Sequence, residues 1–163
     1  MPSYLTRIYE ALAGDKKSEN SLNTCFQRSF FVSADMAHAV HPGYPEYHHA
    51  NHRPQFNKGV VLKINANNRY TTNGISGAVI KHICQEGGVP LQSFIIRQDT
   101  PCGSTIGPML SSKLGIRSID VGIAQLGMHS IRETCGVLDA YYYTKFMEDF
   151  YAKPLCQVAF DKL

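Results

Sequence analysis

Apolar and polar positions alternate along this chain in two rhythms, one helical and one extended. Tyr4, Leu5, Ile8 and Leu12 recur on one helical face within residues 3–13, and Gly14 ends the pattern. Asp15 to Asn23 is polar and charged and predicts a loop. The apolar run Phe30 to Ala34, inside Ser29 to Asp35, predicts a buried strand. Residues 41–58 are rich in His, Pro, Asn and Gly and lack periodicity, which predicts a long connection. Val60 to Ile64 predicts a second strand. Ile75, Val79, Ile80 and Ile83 give helical spacing over 73–86, closed by Gly87-Gly88. Phe94-Ile95-Ile96 predicts a third strand, Met109 to Leu114 a short helix stopped by Gly115, and Ile116 to Val121 a fourth strand. Leu138, Tyr142, Phe146 and Phe150 mark an amphipathic helix over 137–152. Strands separated by helices predict an α/β fold with a mostly parallel or mixed sheet between helices.

Composition narrows the function classes. The 163 residues suit one domain with one core, and 44% apolar with 18% charged content is wrong for disorder. The formal charge of +3 is small and its Lys and Arg are scattered, so no nucleic-acid footprint is expected. No apolar stretch approaches the ~18 residues that cross a bilayer, and the first residues carry no signal-peptide apolar region. Cys25, Cys84, Cys102, Cys135 and Cys156 are odd in number and lack a Cys-x-x-Cys, which argues against a disulfide framework or a Cys-rich zinc site. Reduced thiols fit a cytoplasmic protein.

Five groups of residues could carry chemistry. Asp35 ends the first predicted strand, and His38 and His41 follow before Pro42-Gly43. Ligands of α/β proteins bind at the carboxyl ends of strands, and oxygen with imidazole donors suits zinc or manganese. The plain alternative is a turn cap with surface histidines. His48, His49 and His52 cluster in the long connection with no rigid spacing, which favours solvated loop tips. His129 follows the fourth strand, and Glu133 could orient its ring; a satisfied histidine beside an Arg132–Glu133 surface pair is the alternative. The turn Gly103-Ser104-Thr105 could offer backbone N–H groups to a carboxylate, although it is not a P-loop and Cys102 has no evident activating base. Lys63 sits in the apolar strand on the face of Val61. The residues alone favour an exposed Lys63 and a core Tyr70 over an inward cation.

The segments Ser33 to Pro42, Asn51 to Pro54, Asn68 to Tyr70, Asp99 to Pro108 and Met128 to Glu133 occur in this order. Together they closely resemble the aspartyl aminopeptidases, dinuclear zinc metallopeptidases, from about residue 29 to 152. The resemblance implies an αβα catalytic core, a separate β-rich dimerisation domain and assembly into a dodecamer. It implies removal of N-terminal Asp or Glu from peptides by a hydroxide bridging two Zn2+ ions, with an upstream Glu moving the proton. Carried onto this chain, Asp35 would ligate one metal and His129 the other. His38, Lys63 and Tyr70 would lie in the substrate pocket, with Gly103, Ser104 and Thr105 lining it. Lys63 would then select acidic side chains by Coulomb attraction. The family's first metal-binding His, bridging Asp, Glu ligand and general-base Glu have no counterpart here. Residues 1–163 therefore read as the C-terminal segment of the catalytic domain, inactive alone. The alternatives are a non-catalytic remnant that binds a partner and assembles, with Tyr141, Tyr142 and Tyr143 as an interface, and a related di-metal aminopeptidase of other specificity.

Overall fold

A computed structural model describes residues 2–16 and 18–153; Cys156 and the end of the predicted single segment 1–163 lie outside the described residues. The helices are α1 (Pro2–Ala13), α2 (Glu19–Gln27), α3 (Gly74–Gly87), α4 (Gly107–Leu114) and α5 (Val137–Ala152). The strands are β1 (Phe30–Ala34), β2 (Ala37–His38), β3 (Val60–Ile64), β4 (Leu91–Ile95), β5 (Arg117–Gly122), β6 (Ala124–Leu126) and β7 (Thr134–Cys135). The main sheet runs β1-β5-β3-β4. Its outer pairs, β1 with β5 and β3 with β4, are parallel, and the central β5–β3 pair is antiparallel. The expected mixed α/β sheet is therefore present. A second sheet, β2-β6-β7, continues from the ends of β1 and β5.

Strand alternation divides the interior in two. Val60, Leu62, Ile119 and Val121 face α3 and α5, where Ile80, Ile83, Phe146 and Phe150 complete the larger core. Val61 looks the other way and joins Ala37, Tyr70, Phe94 and Ala124 in a smaller cluster. The helices on the larger core stop where their sequence says they should. Asn73 caps α3 by a reciprocal pair, its Oδ1 accepting from the Ser76 N–H at 3.0 Å and its own N–H donating to Ser76 Oγ at 3.0 Å. Gly88, at φ 65°, closes the other end.

A distant segment anchors α5. Asn57 Oδ1 accepts from the Leu138 N–H at 3.0 Å, and the buried Asp139 carboxylate accepts from the N–H groups of Asn57 at 2.7 Å and Gly59 at 2.8 Å. These bonds tie the end of the long 41–58 connection to the helix. That connection holds a short 3-10 turn, Pro45–Tyr47, and a single antiparallel bridge from His48 to Ile96.

Three local expectations change. The loop expected over Asp15 to Asn23 is instead a 3-10 turn, Gly14–Lys16, followed by α2. Ser18 caps α2, its Oγ accepting from the Ser21 N–H at 3.1 Å, and none of the helix's residues is buried. A helix held by its cap and exposed side chains leaves no apolar period to read. The third strand starts earlier, at Leu91, because its first three residues are only half-buried. β2, β6 and β7 are two or three residues long, too short for alternation to register. In α1 the predicted apolar face is present but exposed, with Tyr4 at 66% and Leu12 at 84%.

Candidate functional site

A cleft of about 160 Å³ lies on the Val61 face of the main sheet, between the end of β1, Lys63 of β3, Phe94 of β4 and the segments that follow β3, β4 and β6. Because β1 and β3 run in opposite directions, this is not the common carboxyl edge expected for an α/β protein. Asp35 enters it from the end of β1, His38 from β2 and Lys63 from β3. Tyr70 comes from the segment after β3, Gly103, Ser104 and Thr105 from the segment after β4, and His129 from the segment after β6. All eight site residues singled out in the sequence thus line one cavity, with Phe94 and Cys102 among the remaining wall. Their side chains differ in exposure: Tyr70 is buried, Asp35 half-exposed, His38 and His129 exposed.

Lys63 is the departure from what its sequence context favoured. Its side chain is only 4% exposed, and its ammonium donates to Asp35 Oδ2 at 3.0 Å and to the Met36 carbonyl at 2.9 Å. The same nitrogen lies 4.7 Å from the centre of the Tyr70 ring, within cation–π range. The inward cation replaces the expected exposed Lys because β5, lying between β1 and β3, ends at Gly122. A Cβ there would fall 1.9 Å from the Asp35 carbonyl oxygen, so only glycine lets the end of β1 close over β5. The Asp35 N–H then donates to the Val121 carbonyl at 3.0 Å and the carboxylate comes within reach of β3.

Tyr70 packs edge-on against Phe94 with ring centroids 6.3 Å apart, and its hydroxyl accepts from Cys102 Sγ at 3.4 Å. Burial, reinforced by Cys102 and then by nearby carboxylates, pushes the phenol well above its usual range, so it stays an O–H. The His38 imidazole is held below its ordinary value of 6.5 first by desolvation and then by His48, Lys63 and His129; Asp35 opposes them. His38 and Asp35 are therefore an uncharged ring and an acceptor beside one ammonium.

His129 sits at φ 67°, a left-handed conformation uncommon outside glycine. Glu133 does not orient the ring as expected. Its Oε1 accepts the backbone N–H of His129 at 2.5 Å, so the carboxylate holds the main chain of the loop instead. In the Gly103-Ser104-Thr105 turn, Ser104 Oγ donates to the Arg69 carbonyl at 3.2 Å and the Thr105 N–H to the same carbonyl at 3.4 Å. Much of that turn's polarity is spent on holding two cleft segments together.

The remaining histidines stay outside the cavity. His41 Nδ1 accepts from the Gly43 N–H at 3.0 Å, and His49 and His52 pair with ring centroids 5.2 Å apart. His48 departs from the loop-tip reading: it is buried, stands edge-on to Phe94 at 5.7 Å, and donates through Nε2 to the His38 carbonyl at 3.2 Å. The aromatic floor, Phe94, was missed because it reads as an ordinary strand residue.

A catalytic zinc ion takes three protein ligands and a water. Among the described residues, no group of three or more His, Cys, Asp or Glu is placed to hold a metal. Asp35 is engaged with Lys63 and His129 stands as a single exposed imidazole. These residues offer separate donors on one wall, and they do not by themselves fit a complete zinc centre.

The organisation is nevertheless that of a known class of hydrolase. Residues 1–151 match the model of the aminopeptidase I zinc metalloproteases (M18). The chain belongs to this family, in agreement with the resemblance carried by its motifs. It is 49% identical over 150 residues to a probable aspartyl aminopeptidase of Ricinus communis, and 49% identical over 132 residues to an aspartyl aminopeptidase of Dictyostelium discoideum. These alignments cover 90% and 81% of the chain but only 30% and 27% of the two relatives. Among solved structures, Ape4 in its cryo-EM complex with Nbr1 superposes with a TM-score of 0.84 at 45% identity, covering 92% of this chain and 28% of that one. The S. cerevisiae mApe1 dodecamer gives a TM-score of 0.73 at 31% identity, covering 92% of this chain and 34% of its own.

Proposed function

We propose that this chain forms the substrate-side wall of the active site of a zinc aminopeptidase that releases N-terminal Asp or Glu from peptides. The observation that carries the reading is the buried Lys63 ammonium in the cleft. An ammonium has three N–H donors, and the bonds to Asp35 and Met36 use two. A substrate carboxylate entering the cleft meets the third donor and a cation shielded from bulk water, where Coulomb attraction is stronger than at the surface. A neutral side chain gains neither.

Asp35 and His129 are assigned one metal each, and His38 and Tyr70 bind substrate beside Lys63. The Gly103-Ser104-Thr105 turn completes the lining. The family resemblance puts the other metal ligands and the general base upstream of the matched segment, so the chain alone is expected to turn over no peptide. The dodecameric relative supports a homo-oligomer as the working form.

The test is twofold and uses the whole chain. Asp-, Glu- and Leu-terminated peptides are assayed with added zinc; turnover approaching that of an intact M18 enzyme would overturn the assignment of missing ligands. L-Aspartate and L-asparagine are then titrated while the Lys63 and Tyr70 resonances are followed. Selective shifts with L-aspartate, abolished in Lys63→Met, are expected. Equal shifts with both amino acids would sink the acid-selecting role and favour an aminopeptidase of other specificity.

A second reading, a non-catalytic assembly module, draws on one observation. Tyr4, Ile8 and Leu12 of α1 are 66%, 56% and 84% exposed. Self-association of the chain without L-aspartate binding would favour it.

A further inference from the structure

The cleft depends on a carboxylate that does not line it. Asp120, in the middle of β5, is fully buried. Among the described residues it takes part in no ion pair within 4 Å. Its partners are hydrogen-bond donors from two separate segments. Oδ2 accepts from the Thr71 backbone N–H at 2.7 Å and from Thr71 Oγ1 at 3.0 Å. Oδ1 accepts from Thr105 Oγ1 at 2.6 Å. The Asp120 main chain adds a bond from its N–H to Thr72 Oγ1 at 3.2 Å.

Each of these donors adjoins the cleft. Thr71 follows Tyr70, and Thr105 itself lines the cavity with Gly103 and Ser104. Gly107, at the start of α4, is part of the same arrangement: a Cβ there would stand 2.5 Å from Asp120 Oδ2. Only a glycine leaves room for the carboxylate between the two segments. Charge-assisted hydrogen bonds to a carboxylate are stronger and more directional than neutral ones, and a buried acceptor with its donors is costly to separate.

We propose that Asp120 is the positioning residue of this cleft: its two oxygens fix the 69–72 and 101–105 segments relative to β5, and through them place Tyr70 and the Gly103–Thr105 wall. Asp139 supplies the control. It is equally buried and also accepts from backbone N–H groups, but it anchors Asn57 and Gly59, which do not line the cleft.

The experiment compares Asp120→Asn with Asp139→Asn in the full chain by residue-resolved hydrogen exchange. Asn keeps the shape and one acceptor but removes the charge. Asp120→Asn is expected to speed amide exchange at Thr71 and Thr105, the hydrogen-bonded amides of the two segments, by at least roughly tenfold, the factor that about 1.4 kcal/mol represents, with Asn57 and Gly59 unchanged. Asp139→Asn gives the converse pattern. Uniform acceleration of both regions in both variants, or no acceleration at Thr71 and Thr105, would overturn the proposal. If Asp120→Asn does not fold, Thr105→Val decides: it should speed exchange of the amide at position 105 while leaving Asn57 and Gly59 protected, and failure to do so counts against the proposal. A second arm titrates L-aspartate, and this arm rests on the acid-selecting reading above. Asp120→Asn should weaken binding at least tenfold while Asp139→Asn leaves it within about twofold. If the parent chain itself shows no L-aspartate binding, that reading fails and the exchange arm still decides the role of Asp120.

Discussion

The cleft face of the sheet and the N-terminal pair α1–α2 use similar residue types in opposite ways. At the cleft, polar groups find partners far away in the chain: Lys63 reaches Asp35 across 28 residues and Asp120 reaches Thr71 across 49. In the N-terminal pair the bonds at the start of α2 are local, from Ser21 to Ser18 and from Thr24 to Asn20, three and four residues apart. Gln27, the last residue of α2, is the exception, its Nε2 donating to the Gly115 carbonyl at 3.2 Å and its carbonyl accepting from Arg117 at 3.5 Å. The cleft's apolar residues are buried under those polar groups, while the apolar face of α1 is open. Long-range polar bonds fix which segments meet, so a substitution there disconnects parts of the molecule. Local bonds fix only a turn of helix, and their loss stays local.

Substitutions should grade accordingly. The largest effect is expected for Phe94→Ala. Phe94 is 2% exposed and carries the rings of Tyr70, His38 and His48. Removing it empties the floor of the cleft, at a cost of about 3–5 kcal/mol in denaturant unfolding. A loss under ~1 kcal/mol would mean that the cleft floor collapses freely and does not position these rings.

Next comes an asymmetry within one ion pair. Asp35→Ala leaves the buried Lys63 ammonium with the Met36 carbonyl and the Tyr70 ring but no counter-charge, and should cost about 1–3 kcal/mol. Lys63→Met leaves Asp35, whose side chain is 53% exposed, to be solvated by water, and should be close to neutral. Equal costs from both substitutions would show that the pair is not buried from the lysine side alone.

How much of this was legible in the sequence follows from the same contrast. β1, β3, β5 and the end of β4 were readable as apolar runs, α3 and α5 because their apolar positions pack into the larger core, and α4 because Gly115 stops it, whereas β2, β6 and β7 were too short to read. α2 was not, since it buries nothing and a cap plus polar surface resembles a loop. At the site, Asp35 and His129 could be placed by their position after strands, without knowing their partners. The burial of Lys63 could not be read, because its partner lies just past the end of β1, a strand that is not its neighbour, and the contact depends on β5 ending at Gly122. Asp120 was hidden for the same reason: a lone carboxylate in Ile119-Asp120-Val121 has no sequence sign of the threonines that hold it.

His48 gives the contrast a pH dependence. Burial holds its imidazole below 6.5; the bond to the His38 carbonyl opposes this, and Arg53 adds to it. The folded state therefore binds fewer protons than the unfolded chain between the lowered value and 6.5. Stability is complete above 6.5 and is lost as pH falls through the folded-state value. The melting temperature should drop between about pH 7.5 and about pH 5, and less so in His48→Phe, which keeps the packing on Phe94 without a titrating ring. Parallel curves for the two proteins would remove His48 from the account.

The N-terminal pair should respond least, and its smallest response is the most informative. Ser18→Ala removes the α2 cap and should cost about 1 kcal/mol. Leu12→Ala should change stability by less than ~0.5 kcal/mol, because a residue 84% exposed loses little on truncation. Measured at low and high protein concentration, that value separates two states of the α1 face. An effect that stays small at both concentrations leaves the stripe in water. A cost that grows with concentration toward the 2–5 kcal/mol of a buried leucine would mean that the face is covered in an assembly, and would turn the local region of this comparison into a long-range one.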